Sequence, residues 1–385
     1  MKVVIAPQSF KGSLSAHEVA RAMDRGVRRV VADIETTILP MADGGEGTVE
    51  ALVEATHGRF LTTEVTGPLG ERVKARWGIL GDGVSAVVEM AAASGLTLVP
   101  KGKLNPMAAT TYGTGELIKA ALDAGCRRLI IGIGGSATND GGAGMVQALG
   151  VRLLDGKGKE LPWGGAALAG LRQIDISGID RRLAECEVTV ASDVTNKLCG
   201  EEGASMVYGR QKGATEEMCR QLDEALCNYA GVIKRDLGIN VMDLPGGGAA
   251  GGLGAGLAAF LGVRLAPGVE IISEVVGLED YLKGADIVFT GEGRIDPQTS
   301  FGKTVAGVAR KAKEHGIPVI AIVGEIAGDY EKIYQQGIDA VLSTAPGPIS
   351  LRKSMTSAEH LVADAAERAM RLVLIGAAKL ARDIP

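Results

Sequence analysis

Short runs of aliphatic and β-branched residues that stop at Pro, Gly or a polar turn, each followed by a helix-forming stretch, recur at both ends of this chain. That pattern constrains the fold more than any other feature. Residues 2–6 (KVVIA) are such a run. A compact apolar strand without polar alternation is buried on both faces, and both faces are covered when helices cross over between parallel strands. Behind it Ser15 stands three residues before Glu18, the spacing of a capping box, and Val19, Ala20, Met23, Val27 and Val30 follow at helical spacing. Residues 35–39 read as the next strand, so the chain opens as a βαβ unit.

The rhythm returns near the other end, with strands expected at 286–290, 318–323 and 340–343 and helices at 304–315 and 330–336. About five parallel strands with crossover helices make a doubly wound α/β domain. The middle differs. Within 60–90, three strand-forming runs are separated by Gly67-Pro68-Leu69-Gly70 and Gly81-Asp82-Gly83, which signal hairpins rather than crossovers. Strands at 128–133 and 187–191 each run at once into a polar or glycine loop. The expectation is a discontinuous first domain, 1–60 and 281–385, interrupted by a second α/β domain with a mixed sheet, 61–280, with the site in the cleft between them.

Composition narrows the function classes. Aromatics are only 3% of the 385 residues while Gly numbers 56, so the core must rest on Val, Ile, Leu and Ala, with many turns that Gly enters at least cost. The net charge of -5 is spread without a basic block, which leaves no nucleic-acid footprint and points to small-molecule partners. Five cysteines, Cys126, Cys186, Cys199, Cys219 and Cys227, include no CxxC pair, which argues against a disulfide framework or zinc site and for reduced thiols in a cytoplasm. The apolar run before Pro7 is too short for a signal peptide. Residues 244–263 are uncharged and near the length of a membrane span, but about half are Gly or small, so they read as a glycine loop leading into a buried helix.

Several loops carry chemistry. Residues 132–142 place Gly134, Gly135, Ser136, Thr138, Asn139 and Asp140 between a strand and a helix, the makeup of an anion nest, with a plain tight turn as the competing reading. The same loop matches GxGxxA at Gly132, Gly134 and Ala137, with Asp155 about twenty residues on, which keeps a nicotinamide-dependent dehydrogenase of a small hydroxy acid as runner-up. Against it, residues 139–142 intervene before helix formers resume near Ala143. Residues 291–304 end in Gly302-Lys303-Thr304 before a helix; a Walker A motif would need Gly at Pro297, yet amides and a Lys at a helix N-terminus attract phosphate. Glu292 and Asp296 there are placed to hold a metal, against the competing reading of a solvated loop. Ser9 and Lys11, Asp43 and Glu46 in DGGEG, and Asp193 in SDVTN all follow strands, where a carboxylate is as often a cap or turn former as a functional group. The four histidines are dispersed, and the GxSxG elbow of a serine hydrolase is absent.

Over nearly its whole length the chain resembles the bacterial class I glycerate kinases, through MADGGEGT (41–48), EMAAASGL (89–96), TYGTGELI (111–118), IGIGGSATNDGGAGM (131–145), SDVTN (192–196), QKGA (211–214), GAAGGLGAGL (248–257) and TGEGRID (290–296). The resemblance implies ATP and D-glycerate as substrates, Mg²⁺ as cofactor, 2-phosphoglycerate as product, and a flavodoxin-like domain interrupted by one with a restriction-enzyme-like sheet. Physical reasoning alone leaves 3-phosphoglycerate open. The expected roles are these. Lys303 and Gly302 join Gly134, Gly135, Ser136, Thr138 and Asn139 on the phosphates, and Glu292 and Asp296 hold Mg²⁺. Asp193 orients or deprotonates the hydroxyl, Ser9 and Lys11 take the glycerate carboxylate with Lys11 also acting in catalysis, and Asp43, Gly44 and Gly45 lie on the substrate side. The family generally reads APDS where this chain has Gln8 in place of the Asp. A monomer or homodimer is expected, and a non-catalytic sensor of sugar acids is a further alternative.

Overall fold

The computed structural model describes residues 1–295, 304–328 and 330–383, with side chains described as far as 376. Its strands are β1 (Lys2–Ile5), β2 (Glu35–Ile38), β3 (Arg59–Thr66), β4 (Arg72–Ile79), β5 (Ser85–Glu89), β6 (Arg128–Gly132), β7 (Arg152–Leu154), β8 (Gln173–Asp175), β9 (Glu187–Ala191), β10 (Arg264–Ala266), β11 (Ile287–Ile295), β12 (Val319–Ile326) and β13 (Ala340–Ser343). The chain forms two units: unit 1, Met1–Asp43, Glu50–Ala55 and Val269–Pro385, and unit 2, Gly44–Val49 and Thr56–Gly268. The sequence placed the two crossings after residues 60 and 280; the structure sets them after Ala55 and Gly268 and also gives 44–49 to unit 2.

Unit 1 carries a parallel sheet in the order β13-β12-β11-β1-β2. Counted in chain order within the unit this is 2-1-3-4-5, the flavodoxin-like arrangement. Val3, Val4 and Ile5 are wholly buried, as a strand covered on both faces requires. The helix Ala16–Arg28 starts on the expected capping box: Ser15 Oγ accepts from Glu18 N at 3.2 Å and Glu18 Oε2 accepts from Ser15 N at 2.8 Å. Its apolar face, Val19, Ala20, Met23 and Val27, packs with Val362, Ala366, Ala369 and Met370 of the helix Ala358–Asp383. The two helices meet so closely that a Cβ on Gly26 would overlap the Ala363 carbonyl oxygen.

Strands β11 and β12 run further than their β-branched cores suggest. Pairing continues through Gly291↔Ile322 and Glu292↔Val323 to Arg294↔Glu325 and Ile295↔Ile326. Residues 291–295, expected as loop, are therefore strand. At Gly291 a Cβ would overlap the Ile322 carbonyl oxygen, so glycine here permits a close backbone approach rather than a turn. Residues Tyr330–Gln336 form a 3₁₀ turn where a helix was expected.

Unit 2 carries a six-stranded mixed sheet, β10-β9-β6-β5-β4-β3. The pairs β3–β4 and β4–β5 are antiparallel, as the Gly-rich connections imply, whereas β5–β6, β6–β9 and β9–β10 are parallel. Trp77 is buried on β4 with its Nε1–H donated to Thr63 Oγ1 at 2.9 Å, so its one polar atom is satisfied. The helix Glu216–Leu237 contributes Leu222, Leu226, Tyr229 and Ile233 to this core. Residues 244–263 contain a glycine turn and the buried helix Ala249–Leu261, whose first turn is broken by left-handed backbone at Ala250, Gly251 and Gly252. No helix among the described residues is long and apolar enough to cross a membrane.

Candidate active site

In unit 1 the strands' carboxyl ends enclose a cavity of about 360 Å³. Its lining comes from Gln8, Ser9 and Lys11 after β1, Asp43 after β2, Glu292, Gly293 and Arg294 on β11, Gly324 and Glu325 on β12, and Thr344 after β13. Strands β2 and β11 flank β1 on opposite sides. That is the topological switch point, where an open parallel sheet leaves a crevice for ligand.

The cavity mixes both signs of charge. Lys11 Nζ lies 4.0 Å from Asp43 Oδ2, and Arg294 Nε lies 3.8 Å from Glu325 Oε2. The Lys11 and Arg294 side chains are 65% and 59% exposed, so these long contacts are screened and hold neither cation firmly. Both can turn to an anionic ligand at little cost. Glu292 and Gln8 are buried, and the Gln8 N–H is tied to the Gly291 carbonyl at 2.8 Å. Asp43, Glu292 and Glu325 supply the hard oxygen donors that Mg²⁺ prefers, and that ion is commonly held by one or two carboxylates plus substrate phosphates and water. Among the described residues no three acidic, His or Cys side chains gather into a metal cluster. Asp296, Gly302 and Lys303 lie outside the described residues.

In unit 2 the loop after β6 has the properties of an anion nest. The Gly135 carbonyl accepts from Leu96 N and the Ala137 N–H donates to the Ser94 carbonyl, both at 2.9 Å, pinning the loop from one side. The N–H groups of Gly134, Gly135 and Ser136 donate to no other described group. Gly135 is exposed and left-handed, at φ +75°. Successive open amides in such a turn attract an anion. Behind them the DGGEG loop packs closely: a Cβ on Gly132 would overlap the Gly44 carbonyl, and one on Gly134 would lie 2.9 Å from Gly45 Cα. Gly44, at φ +84°, in turn leaves only 2.6 Å between its would-be Cβ and that of Ala191, at the end of β9. Gly44, Gly45, Gly134, Gly135 and Ser136 are thus brought together.

Thr138 and Asn139 are wholly buried, and Asn139 Nδ2 donates to Ser205 Oγ at 2.8 Å, so both support the loop from inside. Asp140 is buried too and accepts four bonds, from Thr111 N and Oγ1, Gly142 N and Gly144 N. Asp193 stands exposed after β9 and accepts from Gly268 N at 2.9 Å. The dinucleotide reading fails here. The helix opens only at Ala143, and Asp155 follows β7, which pairs with β8 in a separate two-stranded antiparallel sheet. Asp155 accepts from its own turn, Lys157 N at 2.8 Å and Lys159 N at 3.0 Å. Sequence reasoning passed over Lys212, buried with its Nζ donated to the Thr138 carbonyl at 2.7 Å. Its one signal was membership of the QKGA block, since no periodicity marks a lysine as buried.

The model of the glycerate kinase family matches residues 3–374 of the chain. The chain belongs to the glycerate kinase family. It is similar to the glycerate 2-kinase of Escherichia coli, 51% identical over 98% of this chain and 99% of that protein, and to the glycerate kinase of Bacillus subtilis, 54% identical over 93% and 94%. The crystal structure of a glycerate kinase 2 candidate from Salmonella typhimurium superposes with a TM-score of 0.90 at 53% identity, over 98% of this chain and 99% of that one. As a kinase family, it uses ATP as phosphate donor.

Proposed function

We propose that this chain transfers the γ-phosphate of ATP to the 2-hydroxyl of D-glycerate, giving 2-phosphoglycerate. The observation that carries this reading is the switch-point cavity of unit 1, which offers loosely held cations and hard carboxylates within one enclosure in a chain of this family. A small hydroxy acid needs one cation for its carboxylate, and Lys11 with Ser9 supplies it, with Asp43, Gly44 and Gly45 on the substrate side. The open amides of Gly134, Gly135 and Ser136 receive phosphate oxygens, and Lys303, following Gly302, is the cation assigned to the phosphates. Phosphoryl transfer depends on positioning and charge stabilisation more than on covalent chemistry, which suits a site built from backbone amides and cations. Asp193 orients or deprotonates the attacking hydroxyl. Glu292 and Asp296 hold Mg²⁺, which when bound neutralises charge on the donor phosphates. Five free cysteines support a reducing, cytoplasmic setting.

The test is incubation with labelled ATP and D-glycerate, with phosphorus NMR of the product. Phosphorylation at the 2-hydroxyl is expected. Label on the 3-hydroxyl would correct the regiochemistry, and no glycerate-dependent transfer would refute the proposal in favour of a non-catalytic sensor.

A further inference from the structure

Lys212 is 2% exposed, inside the core of unit 2. It ends the 3₁₀ turn Arg210–Lys212, and Gly213 behind it, at φ +91°, packs so tightly that a Cβ would lie 2.6 Å from Leu104 Cβ. The only hydrogen bond its ammonium makes among the described residues is the one to the Thr138 carbonyl, at 2.7 Å. That same carbonyl faces Gly251, at φ +68°, whose Cβ would overlap it. The Thr138–Asn139 peptide is therefore clamped between a buried cation and a glycine kink. Around it Thr138 Oγ1, Asn139 Oδ1 and Tyr229 OH are buried with no partner, so the layer beneath the loop is polar and incompletely satisfied.

One carbonyl does not compensate an ammonium for its lost hydration, and a methionine of similar length would fill the space without that penalty. The compensating group is Asp140: burial pushes its carboxyl up, and the four donors from Thr111, Gly142 and Gly144 oppose that shift and favour the carboxylate that raises Lys212. Carboxylate and ammonium differ in what they do to the loop. Asp140 is consumed by hydrogen bonds from residues 111, 142 and 144, whereas the Lys212 charge sits at residue 138, next to the open amides of 134–136.

We propose that Lys212 is a positioning residue for the phosphate donor: it fixes the Thr138–Asn139 peptide and adds positive potential behind the amides of Gly134, Gly135 and Ser136, so that the loop binds the triphosphate of ATP. This rests on the kinase reading above. A charge in the interior is little screened, so it acts on an anion it does not touch. Burial pushes the ammonium down to about 7, and Asp140 opposes that shift. Tyr229, against Gly141, stays neutral because burial and Asp140 both push its hydroxyl up. Lys212 thus changes charge near neutrality beside Asp140, whose own carboxyl burial pushes up, and ATP binds the form with protonated Lys212 better.

Calorimetric titration of ATP with Mg²⁺ into wild type and Lys212→Met, between about pH 6 and 8.5, tests this alongside KM for each substrate. Wild-type affinity should fall as pH rises through the Lys212 transition, approaching tenfold per unit above it if a single proton is required. The Lys212→Met protein should bind ATP about tenfold or more weakly at the acid end and lose the pH limb, with KM for glycerate little changed. A folded Lys212→Met protein with wild-type ATP affinity and pH profile would overturn the proposal. Should that variant not fold, the wild-type profile decides, and a flat one overturns it. These binding readouts stand apart from turnover, so a chain that binds ATP as described yet leaves glycerate untouched would fail the functional assignment and not this one.

Discussion

Asp140→Asn is the substitution whose cost the structure sets most directly. Oδ2 accepts from Thr111 N and Thr111 Oγ1 at 2.9 Å and from Gly144 N at 3.2 Å, while Oδ1 accepts only from Gly142 N at 3.2 Å. An Asn would keep its oxygen on the three-donor side and turn its amide nitrogen toward Gly142, losing one long bond worth about 1 kcal/mol. The larger effect is on Lys212, left as a buried cation without the carboxylate that favours its charge; because its ammonium bonds the Thr138 carbonyl and not Asp140, the cost falls at or below about 3 kcal/mol, that of breaking a contact pair. The total of up to about 4 kcal/mol is a large share of a domain's stability. Adding Lys212→Met removes the stranded charge, so the double variant should be more stable than Asp140→Asn alone, with a coupling above about 1 kcal/mol. The pH sign follows from the depressed lysine. Between its folded value of about 7 and the ordinary 10.5 the unfolded chain holds more protons, so stability rises with pH across that window. Without Asp140 the folded value drops further, so the variant's deficit is greatest in acid and shrinks as pH approaches 7. Urea unfolding followed by the fluorescence of Trp77, buried in unit 2, reads both effects. Strictly additive single and double variants would refute the pairing.

Gly251→Ala forces a side chain into left-handed backbone and onto the Thr138 carbonyl; a loss of at least about 2 kcal/mol is expected in the same unfolding assay. Gln8→Asp puts the carboxylate that the resemblance implies at a buried position lining the unit 1 cavity, and kcat should rise at least about tenfold, about 1.4 kcal/mol of barrier. Unchanged kcat and KM would make Gln8 a mere turn residue. Asp193→Asn should depress kcat while leaving ATP affinity intact in calorimetry, and a large loss of nucleotide binding would move that carboxylate to the metal.

Local chemistry made much of this legible. The Ser15–Glu18 box, the hairpins of β3 to β5 and the limits of β13 rest on short-range rules that tertiary packing had no reason to override. The far halves of β11 and β12 were not legible, because Gly291-Glu292-Gly293-Arg294 has turn composition and becomes strand only through pairing with a neighbour. The glycine loop was found from composition, but not its division into unpaired amides at 134–136, exposed at Gly135, and a fully buried base at 138–140. That division depends on Lys212, Ser205 and Gly251, which sequence separation hides.

The pairing of β1 with β11 also bears on how the chain is made. Val3 sits beside Ile287, so during synthesis the first strand emerges long before its central neighbour. Unit 2 has all its strands once residue 266 is out, and can complete its sheet while β1 and β2 wait as an unfinished pair. Closing so long a loop costs only logarithmically more than closing a short one, so the final sheet is not penalised in stability. What it risks is time, since a two-stranded pair with open edges, one of them the apolar β1, is what neighbouring nascent chains can add to. Slowed translation across the last third of the message should therefore raise aggregation of this protein more than slowing elsewhere.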